Sequence, residues 1–107
     1  MDDQHPSDLI KLREVSHDQI VKTLKYRFQK DQIYTHVGPI LVALNPFKWI
    51  KGLYSEGIMV NYMSGKYDHD MSSHPHVFGI AYDTYSSLCE DNIDQSILVS
   101  GESGSGE

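Results

Sequence analysis

Cysteine occurs once, at Cys89, tryptophan once, at Trp49, and proline four times in 107 residues. A single cysteine excludes an internal disulfide and makes a reducing, cytosolic setting the expectation. Basic residues are in the minority, nine Lys and Arg against fifteen Asp and Glu, for a formal charge of −6. That balance argues against a nucleic-acid or anionic-membrane surface, since both need clustered Lys and Arg. No apolar run approaches the ~18 residues of a membrane span. The start, Met1-Asp2-Asp3-Gln4-His5-Pro6, is acidic and polar, unlike a signal or transit peptide. Internal repeats and long low-complexity segments are absent. The length allows one small domain at most, because domains commonly run to roughly 100–200 residues.

What is present divides into short periodic segments. Residues 1–7 read as a polar tail. Ser16, with Gln19 three positions later, fits a capping box that opens a helix to about Lys30. Ile20, Val21, Leu24 and Phe28 then form its expected inward face. Ile33 to Val37 is mostly β-branched or aromatic, and Gly38-Pro39 breaks the run. Ile40-Leu41-Val42-Ala43-Leu44 follows without a polar residue until Asn45-Pro46, which suggests a strand covered on both faces. The chain has few other elements to cover it, so the fold is expected to be incomplete. Ser55 should cap a short helix with Ile58, Met59 and Tyr62 inward and Gly65 closing it. Residues 66–73 read as a polar loop. Pro75 suits the first turn of a further helix that buries Val77, Ile80, Ala81, Tyr85 and Leu88 and ends near Asp91-Asn92. Ser96-Ile97-Leu98-Val99-Ser100 is expected to be a short buried strand.

That strand leads into Gly101-Glu102-Ser103-Gly104-Ser105-Gly106-Glu107. A phosphate-binding loop reads G-x-x-x-x-G-K-[ST] between a strand and a helix. Gly101 and Gly106 have the required spacing, and glycines let successive amides curl inward around an anion. The same residues also suit a flexible linker. Glu107 stands where the lysine belongs, and a carboxylate there repels phosphate by about 4 kcal/mol per unit-charge interaction at ~4 Å and an effective dielectric near 20, before screening. Tight ATP binding by this chain alone is therefore not expected. His69, His74 and His76, with Asp68 and Asp70, could suggest a metal site, but they read better as a solvated loop. Trp49, between Lys48 and Lys51, reads as a packing or hinge residue. No nucleophile–His–acid arrangement emerges, and Glu102 with Glu107 makes no general acid/base pair.

Taken in order, the segments resemble the N-terminal part of a myosin motor domain. The resemblance rests on Asp8-Leu9 and Leu12, on Leu24, Arg27-Phe28 and Ile33-Tyr34-Thr35, and above all on two blocks. These are Gly38-Pro39-Ile40-Leu41-Val42-Ala43-Leu44-Asn45-Pro46 and Gln95-Ser96-Ile97-Leu98-Val99-Ser100-Gly101-Glu102-Ser103-Gly104. It covers about Asp8 to Gly106 and implies residues 8–107 as a motor-domain part ending at the phosphate loop. The implied fold is α/β, a partial P-loop NTPase-type motor domain with helices around an incomplete mixed sheet. By the same resemblance Asn45, Pro46 and Tyr54 line an adenine pocket, and Gly101, Glu102, Ser103, Gly104, Ser105 and Gly106 cradle phosphates through their backbone. Trp49-Ile50-Lys51-Gly52 lengthens the connection before Tyr54.

The resemblance implies a cytoplasmic, cytoskeleton-associated motor that hydrolyses ATP with Mg²⁺ and works on actin filaments, with no nucleic-acid partner. The switch segments, actin-binding surface, converter and lever arm would lie beyond Glu107, so no catalytic residue is assigned here. Two other readings stand beside it: a non-enzymatic truncated protein acting as a binding module, and an unrelated nucleotide-binding module with a degenerate phosphate loop. Strands without neighbours also lead us to expect low stability or aggregation of the isolated polypeptide.

Overall fold

Ser16 sets the first element. The computed structural model describes residues 5–105, and in it the Ser16 hydroxyl accepts from the Gln19 amide at 3.2 Å to open helix α1, His17–Gln29. The expected inward face is met in part, with Ile20 and Leu24 half-buried. Val21 and Phe28 are 48% and 37% exposed, while Thr23 and Arg27 are the buried residues, at 0% and 8%. Hydrogen bonding explains their burial. Arg27 donates from Nε to the Thr35 hydroxyl at 3.1 Å and from Nη2 to the Tyr34 carbonyl at 3.0 Å. Thr23 donates to the Gln19 carbonyl at 2.8 Å, so its buried hydroxyl is satisfied. Thr23 and Arg27 share this inward side, and Arg27 ties the helix to the next strand.

That strand, β1 (Tyr34–Val37), pairs antiparallel with β2 (Ile40–Ala43) in the register Tyr34↔Ala43 to Val37↔Ile40. Gly38 turns the corner at φ 58°, a conformation open to glycine, with Pro39 second in the two-residue loop. Across the other edge of β1, Asp8 forms an isolated parallel bridge with His36, and the His36 amide donates to the Ser7 carbonyl at 2.8 Å. The Asp8 carboxylate accepts from the Gly38 and Ile10 amides, each at 3.1 Å, and thereby joins a short 3-10 turn (Leu9–Lys11) to the hairpin tip. Of the polar start, Pro6 is buried and the Ser7 hydroxyl donates to the Ser72 carbonyl at 2.7 Å.

Ser55 caps α2 (Glu56–Met63) through the Ile58 amide at 3.3 Å, and Gly65 closes it at φ 80°. Tyr62 is buried as expected; Met59 faces outward at 39% exposure, since Tyr62 takes the inward position and donates to the His74 carbonyl at 2.8 Å. The polar loop of residues 66–73 contains a further 3-10 turn, Met71–Ser73. Helix α3 (Val77–Asp91) starts from His76, so Pro75 precedes the cap instead of occupying the first turn. Asn92 stops it in the left-handed conformation at φ 54°. At Gly79 on α3 an added Cβ would lie 2.8 Å from Met71 Sδ in the preceding 3-10 turn and 3.4 Å from Tyr62 Cε1 on α2.

The incompleteness expected around β2 is present, and two expectations about burial fail beside it. The outer edge of β2 is open, with Ile40 62% exposed. The α3 face bearing Val77, Ala81, Tyr85 and Leu88 is exposed, and Ile80 is only half-buried. Residues 96–100 pair with no strand, and Leu98 is 93% exposed. The described sheet is thus one antiparallel hairpin with a single parallel bridge, and with the three helices it makes a partial α/β fragment. A strand needs a partner for its backbone groups, and no described residue provides one for this segment.

Two outcomes follow. Replacing Arg27 with Met keeps the stem but removes both hydrogen bonds, and should lower stability by about 3–6 kcal/mol, since bonds from a charged group are worth roughly 1.5–3 kcal/mol each; urea titration measures it. Leu98→Lys should reduce light scattering of the polypeptide and leave its far-UV circular dichroism unchanged, because Leu98 packs on nothing.

Candidate functional site

The end of β2 places the first two predicted residues. The Leu44 amide donates to the Ile33 carbonyl at 3.0 Å, which extends the pairing to the edge of Asn45-Pro46. Asn45 Oδ1 accepts from the Phe47 amide at 2.9 Å, an Asx turn that holds Phe47 at φ 53° with its ring 86% exposed. Lys48 then reaches back to Asp31 at 2.7 Å, across from the end of α1. Trp49 does not pack into the chain. It is 81% exposed and meets Tyr54 at a ring-centroid distance of 6.2 Å.

Tyr54 follows a turn in which the Leu53 and Ser55 amides donate to the Ile50 and Gly52 carbonyls, each at 3.3 Å. Its hydroxyl lies 2.6 Å from that of Tyr34 on β1. Behind the pair sits His76, 3% exposed, with its ring 5.1 Å from Tyr34, 5.5 Å from Tyr54 and 5.3 Å from Tyr62. His76 Nδ1 accepts from the Phe78 amide at 2.9 Å, so the proton resides on Nε2, which donates to the Leu53 carbonyl at 2.9 Å. One buried ring therefore caps α3 and fixes the residue before Tyr54. This corrects the reading of His76 as part of a solvated loop. His74 stacks on Tyr67 at 3.8 Å and lies 3.5 Å from Asp70. Among the described residues, no cluster of His, Cys, Asp and Glu could hold a metal ion.

Asn45, Pro46 and Tyr54 come together. With Ile33, Tyr34, Ala43, Leu44 and Ser105 they wall a cleft of about 150 Å³. That is below the ~300–1,000 Å³ of a drug-sized pocket, and suits one flat ring system better than a whole nucleotide. The glycine segment reaches this cleft without the expected strand before it. The Ser105 amide donates to the Glu102 carbonyl at 3.0 Å, with Gly104 at φ 85°, which is a tight turn with glycine where φ must be positive. Gly101, Glu102, Ser103 and Gly104 are exposed around it. In this turn the Ser105 amide is engaged with Glu102 and is not directed at an anion. Gly106 and Glu107 lie outside the described residues.

Burial shapes the electrostatics. It pushes the Tyr34 phenol far above its ordinary range, aided by the hydrogen bond to Tyr54 and that group's charge. Burial, then the charge of Tyr67, pushes Tyr62 up to about 12. Burial lowers His76, against a smaller opposing effect of its bond to Leu53. The sequence reading missed Tyr34 and His76 as parts of the site. The available signal was local: a histidine directly before a helical run can cap it, and Tyr34 must face the same side of β1 as whatever β2 leads into.

The model of the myosin head (motor domain) family matches residues 6–107. The chain is 44% identical over 100 residues to the myosin IC heavy chain of Dictyostelium discoideum, covering 94% of this chain and 8% of that protein. It is 41% identical over 105 residues to the high molecular weight form of myosin-1 of Acanthamoeba castellanii, covering 98% and 6%. The Dictyostelium myosin-M heavy chain is 38% identical over 106 residues, covering 99% and 6%. The chain belongs to the myosin head family. It spans less than a tenth of the length of these three heavy chains.

His76 gives a pH dependence. Its folded pKa lies below the ordinary 6.5, so the unfolded chain takes up the proton first. Its contribution should be complete above about pH 6.5 and fall as pH drops through the folded value, where a proton on Nδ1 ends the cap. His76→Asn keeps a capping acceptor and should flatten that part of the stability–pH curve. His76→Ala should cost about 0.5–2 kcal/mol for the cap alone. Urea midpoints between pH 5 and 8 measure both.

Proposed function

We propose that this chain supplies part of the nucleotide site of an actin-based, ATP-dependent motor head that acts in the cytoplasm on the cytoskeleton. Asn45, Pro46 and Tyr54 form the base side of that site, and the backbone of residues 101–106 forms the phosphate side. One observation carries this reading: Ser105 lies at the cleft walled by Asn45, Pro46 and Tyr54, although half the chain separates them.

The chemistry of the lining supports a purine. Pro46 and Tyr54 offer flat apolar surface, and Asn45, with Oδ1 engaged by Phe47, keeps its amide nitrogen to donate to a ring nitrogen. The triphosphate is not accommodated in the present turn, since the Ser105 amide faces Glu102 and the acidic side chain of Glu102 is exposed nearby. ATP would be held here by its base, and the phosphates would require residues 101–106 to curl with their amides inward. Mg²⁺ would accompany the triphosphate, and no described residue is assigned to it. The chain's own part is to bind and orient; no proton transfer or nucleophilic step is assigned to its side chains. A second reading, a non-enzymatic binding role, is favoured by the exposed apolar residues of α3 and of residues 97–99.

A chimera separates these readings. Residues 6–105 of this chain should replace the matching segment of the Dictyostelium myosin IC heavy chain and leave ATP binding intact. Asn45→Ala in that chimera should weaken ATP about three- to ten-fold, the value of one or two hydrogen bonds. A folded chimera that binds actin filaments but no ATP would overturn the nucleotide-site proposal.

A further inference from the structure

We infer that Tyr34 is a positioning residue for Tyr54, holding the aromatic wall of the cleft through its hydroxyl; this rests on the reading of the cleft as a base site. The two sides of the cleft have different anchors. Asn45 and Pro46 extend from β2, whose register with β1 is fixed, and Tyr34 is paired with Ala43 in that ladder. Tyr54 belongs to the turn before α2 and is 43% exposed. A side chain so exposed needs something to choose its rotamer.

The hydroxyl pair at 2.6 Å supplies this. Tyr34 is 8% exposed, so its ring cannot follow Tyr54 outward; Tyr54 must come to it. His76 closes the back of the arrangement, bonded to the Leu53 carbonyl, with Phe78 edge-on to Tyr54 at 5.9 Å. Backbone and ring contacts thus set where Tyr54 starts, and the Tyr34 hydroxyl sets where its tip lies. The consequence for a ligand is pre-organisation: the ring that stacks on the base is already immobilised.

Tyr34→Phe keeps the ring and removes only the hydroxyl. Two measurements on the 107-residue chain, each compared with Tyr54→Phe and the double variant, test the inference. Aromatic ¹³C relaxation of labelled tyrosines should show an ordered Tyr54 ring that becomes mobile in Tyr34→Phe, with circular dichroism unchanged. Adenosine, titrated to millimolar concentration and followed by Trp49 fluorescence, should bind about three- to ten-fold more weakly to Tyr34→Phe. The double variant should be no weaker than either single one, because both remove the same contact. An unchanged Tyr54 ring in Tyr34→Phe overturns the positioning role. So does a loss of adenosine affinity in Tyr54→Phe that Tyr34→Phe does not share. Absence of adenosine binding to the parent chain, with the ring effect present, instead removes the base-site reading and leaves the positioning contact standing.

Discussion

The strand β1 is where the structure's polar obligations meet. Arg27 reaches it from α1, Ser7 and Asp8 from the chain's start, β2 along its ladder, and Tyr54 from the turn before α2. A buried polar group left without a partner costs of the order of a hydrogen bond or more, so each contact constrains the position of the element that makes it. The buried set reflects this. Asp8, Thr23, Arg27, Thr35, His36 and His76 outnumber the buried apolar residues Leu9, Ile33, Tyr34 and Tyr62. Directional bonds, more than a large oily interior, decide how the pieces sit. Among the described residues, the side-chain atom His36 Nδ1 is the exception, buried without a hydrogen-bond partner.

This explains which features were legible in the sequence. Local chemistry was: the Ser16 and Ser55 caps, the Gly38-Pro39 corner, Gly65 after α2 and the stop at Asn92 all depend on a few adjacent residues. Apolar periodicity misled wherever a polar side chain had a better reason to face inward. Val21 and Phe28 gave way to Thr23 and Arg27, and no pattern of apolar residues could reveal that, because the cause is the Tyr34 carbonyl. The α3 stripe and residues 96–100 read as buried because they are apolar, yet burial also requires a covering surface, and the described residues contain none for them.

The candidate cleft was legible in the residues that line it and less so in its geometry. Asn45, Pro46 and Tyr54 share a cleft with Ser105, and that they serve one ligand is the proposal made above. What sequence could not convey was the support behind them: a neutral, buried His76 that caps one helix while holding Leu53, and a phenol pair that spans the cleft. Such contacts join residues far apart in the chain and leave no periodic trace. Family membership, shown by the match over residues 6–107, gives this support its setting within a motor head.

Gly79 matters for the space it leaves. At the first turn of α3, three residues from His76, the missing Cβ leaves room for the Met71 thioether of the preceding turn beside the Tyr62 ring of α2. A methyl group there would meet the Met71 thioether first and would require that flexible side chain to shift. A single missing carbon thus gives Met71 its seat against the ring whose hydroxyl holds the His74 carbonyl.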